Sequence, residues 1–146
     1  MHSFDIIIDI VPIGKGRAQH VRKGTFTTTY TPKKTREFEQ EIKLACLKHI
    51  CEIQYTNPFI RFERFVHIEE FTAIMPIPKS TTKKVRELIA QDPQHLKKPD
   101  VDNILKAVLD GMSGVVYRDD CIISKIRNVD KNYGATPCLI IRLKGE

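Results

Sequence analysis

The sequence predicts a single α+β domain, a mixed β-sheet with helices packed on it, and three observations carry that expectation. Apolar, β-branched runs near both ends, "FDIIIDIVPI" and "CLIIRL", read as strands. Between them strand-like and helix-like periodicities follow one another with no repeat, linker or low-complexity stretch. A length of 146 residues, 41% hydrophobic and 29% charged, suits one globular domain with a substantial core.

Each element has its own signal. "FDIIIDIVPI" is a strand that stops at Pro12. "GKGRAQHVRKGTFTTTYTP" is expected to be a basic loop followed by a short strand, Thr25 to Tyr30. In "TPKKTREFEQEIKLACLKHI", Pro32 stands near a helix start, and Phe38, Ile42, Ala45, Cys46 and His49 or Ile50 recur at helical spacing. "FIRFERFVHIEEFTAIMPIP" alternates and is rich in Phe, Ile and Val, which predicts a long strand ending at Pro76 and Pro78. Ser80 is the expected cap of a second helix, "STTKKVRELIAQ", with Pro93 just beyond it and "HLKKP" exposed and extended. A third helix is expected over 103–112, capped by Asp102 and ended by Gly111 and Gly114. "CIISKIRNV" reads as a strand, "KNYGAT" as a turn and "CLIIRL" as the last strand.

Composition narrows the function. With 24 Lys and Arg against 18 Asp and Glu, the chain carries a formal charge of +6, and a basic surface attracts polyanions. No apolar run approaches the ~20 residues a membrane helix needs, and no signal peptide is visible, so a cytosolic protein without membrane contact is expected. Cys46, Cys51, Cys121 and Cys138 form no C-x-x-C pair, and no His completes a zinc site, which predicts reduced and mostly buried thiols. Without a Ser-His-Asp set, a phosphate-cradling glycine loop or a dinucleotide fingerprint, no small organic cofactor is expected.

Against this basic background, "KPDVDNILKAVLDGMSGVVYRDD", residues 98–120, holds five of the nine aspartates and no glutamate. If the chain stays extended through Asp102, Asp100 and Asp102 face one side. On the following helix Asp102, Asn103, Lys106 and Asp110 share the arc opposite Ile104, Leu105, Val108, Leu109 and Met112, so Asp100, Asp102 and Lys106 face one cleft. Asp119 and Asp120 follow a Gly-containing turn that leaves room to return to the first pair. Carboxylates packed in this way repel one another unless a cation sits between them, and Mg²⁺ prefers oxygen ligands of this kind, with Mn²⁺ as the alternative ion. Such an ion clamps a phosphodiester and acidifies water; one or two ions satisfy the pattern equally. An EF-hand is excluded, because Ile104 and Leu105 occupy positions that need an oxygen ligand and a glycine. Alone, a D-x-D before a helix is usually a cap and a D-D pair a turn; their joint occurrence with a Lys on the same face favours a site.

The stretch "KPDVDNILKAVLDGMSGVVYRDDCII", supported by "PIGKGRAQH" and "TYTPKKTREFEQEI", resembles the signature of the RusA-type Holliday-junction resolvases, small dimeric Mg²⁺-dependent endonucleases of bacteria and their phages. The resemblance implies that Asp100, Asp102 and Asp120 bind metal, with Asp119 as a supporting neighbour, and that Lys106 is catalytic. It implies a homodimer that resolves four-way DNA by hydrolysing one phosphodiester on each of two opposed strands. Lys15, Arg17, Arg22, Lys23, Lys33, Lys34 and Lys98, together with Lys125 and Arg127 alternating on the strand after the acidic pair, are the expected DNA contacts. The early loop departs from the family's K-G-R-P-R tendency, having Lys15, Gly16, Arg17, Ala18 and Gln19. Two other classes fit the residues: a non-catalytic branched-DNA-binding protein, and a metal-dependent hydrolase of small phosphorylated molecules.

Overall fold

Alternation of apolar and polar side chains builds the sheet, because successive residues of a strand point to opposite faces. In a computed structural model describing residues 1–146, the order is β1 (His2–Ile8), β2 (Gln19–Lys23), β3 (Phe26–Tyr30), α1 (Lys33–Ile53), β4 (Val66–Pro76), α2 (Lys83–Gln91), α3 (Val101–Met112), β5 (Ile123–Ile126), β6 (Val129–Gly134) and β7 (Cys138–Gly145). Phe4, Ile6 and Ile8 of β1 and Leu139, Ile141 and Leu143 of β7 point into the core, while Ile7 is 66% exposed on the other face. β7 pairs antiparallel with both β1 and β4. β5 and β6 run parallel to β4, along its first and second halves, which makes the sheet mixed as expected.

The parallel pairing requires a long crossover, and α2 and α3 lie within it. α1 contributes Phe38, Ile42 and Cys46 to the core, and α3 contributes Ile104, Ala107, Val108 and Met112. Tyr117 is fully buried and its hydroxyl donates to the Leu109 carbonyl at 2.6 Å, which secures the end of α3. Gly111 lets the two helices approach closely. A Cβ there would stand 2.8 Å from Ile42 Cβ and 2.9 Å from the Glu39 carbonyl oxygen. No helix is long and apolar enough to cross a membrane.

Several boundaries differ from the sequence reading. Part of the expected basic loop is β2, which forms a two-stranded hairpin with β3. The long strand begins only at Val66; Phe62 makes one isolated bridge to Tyr117, and its N–H donates to the Val116 carbonyl. Thr82, not Ser80, caps α2, accepting from the Val85 N–H, and α2 buries none of its residues. α3 starts at Val101 with Asp100 in the capping position, so Asp102 lies inside the first turn. "CIISKIRNV" is interrupted: a 3₁₀ turn, Asp120–Ile122, precedes β5, and Arg127 and Asn128 separate β5 from β6. The register of β4 shifts between Ile68 and Glu70, and Asn128 Nδ2 donates to the Glu69 carbonyl across that irregularity. Lys131 to Gly134 belong to β6 rather than to a turn. Of the cysteines, Cys46 is buried, Cys138 is intermediate, and Cys51 and Cys121 are exposed.

Candidate functional site at helix α3

The sequence "PDVDN" offers two aspartates to cap α3, and the extended backbone at Asp100 decides between them. Its side chain makes no capping hydrogen bond, so the carboxylate stays available. Asp100 and Asp102 thus flank a helix start, where the exposed N–H groups favour negative charge, rather than alternating along a strand. Both are exposed, and both line an open cleft of about 780 Å³ with Lys97, Lys98, Asp130 and Lys131. Lys131 shapes the approach to Asp100: its ammonium donates to the carbonyls of Lys97 at 2.5 Å and Pro99 at 2.7 Å. His95 lies in the same wall, buried against Tyr133 at 4.5 Å between ring centroids. Burial, then the positive charge of Lys131, holds the His95 imidazole below its ordinary pKa.

Further along α3 the charges are paired. Lys106 Nζ lies 2.7 Å from Asp110 Oδ1 and 2.5 Å from Asp120 Oδ2. The same Asp110 accepts from Lys15 Nζ, which also stands 3.7 Å from Glu39 Oε1. Lys15 reaches this point because its loop is pinned twice: the Lys15 N–H donates to the Asn103 carbonyl at 3.1 Å, and the Gly16 N–H to Thr35 Oγ1 at 2.9 Å. Gly14 permits that approach, since a Cβ would stand 2.9 Å from Pro99 Cβ. Hydrogen bonds from Lys106 to Asp110 and then Asp120 raise the lysine's pKa. Burial pushes Asp110 upward, but the hydrogen bonds from Lys106 and Lys15 outweigh it, and the carboxyl titrates below its ordinary value.

Asp119 caps the 3₁₀ turn that presents Asp120, accepting from the Cys121 N–H at 2.9 Å; hydrogen bonding from the Cys121 thiol, then from that N–H, lowers its pKa. The structure therefore brings Asp120 to Lys106, and Asp100 beside Asp102 along one cleft. It does not gather three acidic, His or Cys side chains closely enough to share one ion. As donors, Asp100, Asp102 and Asp120 fit a hard divalent cation in kind: all are carboxylates, and the first two face the cleft with no lysine or arginine paired to them.

The expected DNA contacts divide in the same way. Arg17, Arg22, Lys23, Lys34, Lys98 and Lys125 are exposed, whereas Lys15 is engaged with Asp110. Lys33 lies 3.6 Å from Glu37 in an exposed pair. Arg127 falls beyond the end of β5, 3.0 Å from Glu69, and so does not alternate with Lys125 on the strand. Sequence reasoning placed Asp110 on the polar arc of α3 but gave it no role, and passed over Glu39 and Lys131. The spacing of Lys106 and Asp110, one turn apart, was a readable signal for the first; nothing local points to the other two.

The class defined by these features is a small α+β domain with an acidic helix start in a lysine-lined cleft. A model of the family Endodeoxyribonuclease RusA matches residues 9–144, and the chain belongs to that family. It is also similar to the uncharacterized protein YqaN of Bacillus subtilis (strain 168), with 24% identity over 136 residues, 91% of this chain and 89% of that protein.

Proposed function

We propose that the chain is a Mg²⁺-dependent endonuclease, with Mn²⁺ as the alternative ion, that resolves four-way DNA in recombination and repair. It acts as a homodimer in the cytoplasm of a bacterial or phage-infected cell. The observation that supports this reading most is the pair of carboxylates left without a protein cation at the start of α3, in a chain of the RusA family. Asp100, Asp102 and Asp120 would hold the ion, which when bound supplies Lewis acidity toward a phosphodiester and acidifies water.

The chain's own groups do the rest. Lys106 donates to charge developing on the phosphate or the leaving oxygen. Asp110 sets where that ammonium sits, and Lys15 in turn steadies Asp110. Release of Asp120 from Lys106 costs little, since ion pairs this exposed contribute about 1 kcal/mol or less. Arg17, Arg22, Lys23, Lys33, Lys34, Lys98 and Lys125 neutralise phosphates of the DNA arms, with Lys15 and Arg127 contributing where their acidic partners yield. A two-fold junction suits a two-fold dimer, because each protomer presents the same cluster to an equivalent strand.

The test is incubation with a labelled mobile four-way junction beside linear duplex of the same sequence, with Mg²⁺ and with chelator. Paired symmetric nicks in the junction, in the metal lane only, are expected; no cleavage, or equal cutting of both substrates, contradicts the reading. A second reading, a branched-DNA-binding protein without cleavage, is favoured by one observation: Lys106 is already occupied by Asp110 and Asp120. It requires Asp100→Asn to leave the protein's activity untouched.

A further inference from the structure

The charge of this chain is concentrated in one segment. Residues 10–36 contain seven of the 24 Lys and Arg and none of the 18 Asp and Glu, so the remainder holds 17 against 18 and is close to neutral. That segment includes the β2–β3 hairpin, in which every residue is exposed. A tight turn at Gly24, φ +61°, closes it, and the hairpin is a separate two-stranded sheet, not part of the main one.

The register sorts the hairpin into two faces. The cross-strand pairs Lys23–Phe26, Val21–Thr28 and Gln19–Tyr30 share one face, while Arg22–Thr27 and His20–Thr29 share the other. The second face is polar and cationic, with His20 Nδ1 2.9 Å from Thr29 Oγ1. On the first, Val21, Tyr30 and a 77% exposed Phe26 form an apolar stripe that ends beside the turn. A lone two-stranded hairpin is marginally stable in water, so a ribbon with a bare aromatic edge gains by being covered. Its strong positive field selects a polyanion as the cover over a second copy of the same basic ribbon.

We infer that the β2–β3 ribbon is a DNA-entering arm: Arg22 and its polar face lie against phosphates, and Phe26 stacks on an unpaired base at the branch point. This rests on reading the chain as acting on branched DNA, and it names the element that recognises the branch. A two-stranded ribbon is narrow enough for a DNA groove, five residues reach roughly 17 Å, and aromatic side chains stack on exposed bases with little regard to sequence.

The test places 2-aminopurine either at the branch point or within an arm of a four-way junction, in chelator so that binding is read without cleavage. The wild-type chain should quench the branch-point probe and not the arm probe. Phe26→Ala and Phe26→Leu should lose that quenching and weaken junction binding about tenfold, while Phe26→Tyr, which keeps the ring, restores both. Arg22→Ala should lower the slope of log affinity against log salt by about one contact. Wild-type quenching and affinity in Phe26→Leu overturn the inference. So does a shift from dimer to monomer on sedimentation of Phe26→Ala with unchanged quenching, which would assign the ribbon to a second copy. Wild-type chain that cuts and binds the junction while Phe26→Ala behaves identically refutes the arm alone; wild-type chain that neither binds nor cuts refutes the proposed function with it.

Discussion

The two ends of α3 treat their carboxylates in opposite ways. At the start, Asp100 and Asp102 are exposed and face a cleft with no lysine bound to them. One and two turns on, Lys106 and Asp110 are locked together, and Asp120 and Lys15 arrive from other segments to complete the set. Asp102, Lys106 and Asp110 are spaced four apart, so the lysine has an acid one turn away on each side. An isolated helix favours the acid on the N-terminal side. Here the bond goes to Asp110, because tertiary structure brings Asp120 to that level and draws the ammonium between two carboxylates. Identical acids become framework or binding capacity according to whether the fold supplies a cation. The positive end of α3 favours negative charge beside the unpaired two.

Breaking the unpaired end should have the largest effect. Asp100→Asn and Asp102→Asn should each reduce junction cleavage more than about 100-fold, while gel-shift affinity holds or rises as repulsion from phosphate is relieved. A loss no greater than that in Asp110→Asn would erase the distinction between the two ends. Lys106→Ala, which removes the hinge between them, should cost cleavage about 100-fold with junction affinity changed much less.

Gly111→Ala probes the close packing of α1 on α3 that holds the paired end in place. The new methyl meets Ile42 and the Glu39 carbonyl, an overpacking cost of about 1–3 kcal/mol against a gain of up to ~1 kcal/mol in helix propensity. A melting temperature lowered by a few degrees is expected, and an unchanged one would mean that α1 and α3 do not pack so closely.

Smaller effects follow from titration. Asp110 titrates below its ordinary 3.8, so its contribution to stability is complete above 3.8 and is lost as pH falls through the depressed value. Lys106 titrates above 10.5, so its contribution is complete below 10.5 and is lost as pH rises through the raised value. Melting curves of the wild-type chain should therefore decline more steeply below about pH 4 than those of Asp110→Asn. Smallest of all is a labelling pattern. Burial pushes Cys46 up to about 12, so it should react with thiol reagents only on unfolding, whereas the exposed Cys51 and Cys121 label in the native state.

Much of the framework was legible because its signals are local. Phe4, Ile6 and Ile8 alternate, Phe38, Ile42 and Cys46 repeat at helical spacing, and the core uses them accordingly. β2 escaped notice because "QHVRK" is exposed on both faces and only pairing with β3 makes it a strand. Two rival aspartates and three rival hydroxyls explain the shifted caps at Asp100 and Thr82. At the site, the acidic cluster, the helix and Lys106 were readable. The involvement of Lys15, Glu39 and Lys131 was not, since it arises from a pinned loop, a close helix crossing and an edge strand far away in sequence.

The most direct measurement is Mn²⁺ uptake, followed by electron paramagnetic resonance with a non-cleavable four-way junction present, in the wild-type chain, Asp100→Asn, Asp102→Asn and Asp110→Asn. Uptake by the wild type and by Asp110→Asn, with loss in the other two, is the predicted result. Equal uptake in all four, or none in the wild type, would contradict the claim that the free end of α3 is where the ion is held.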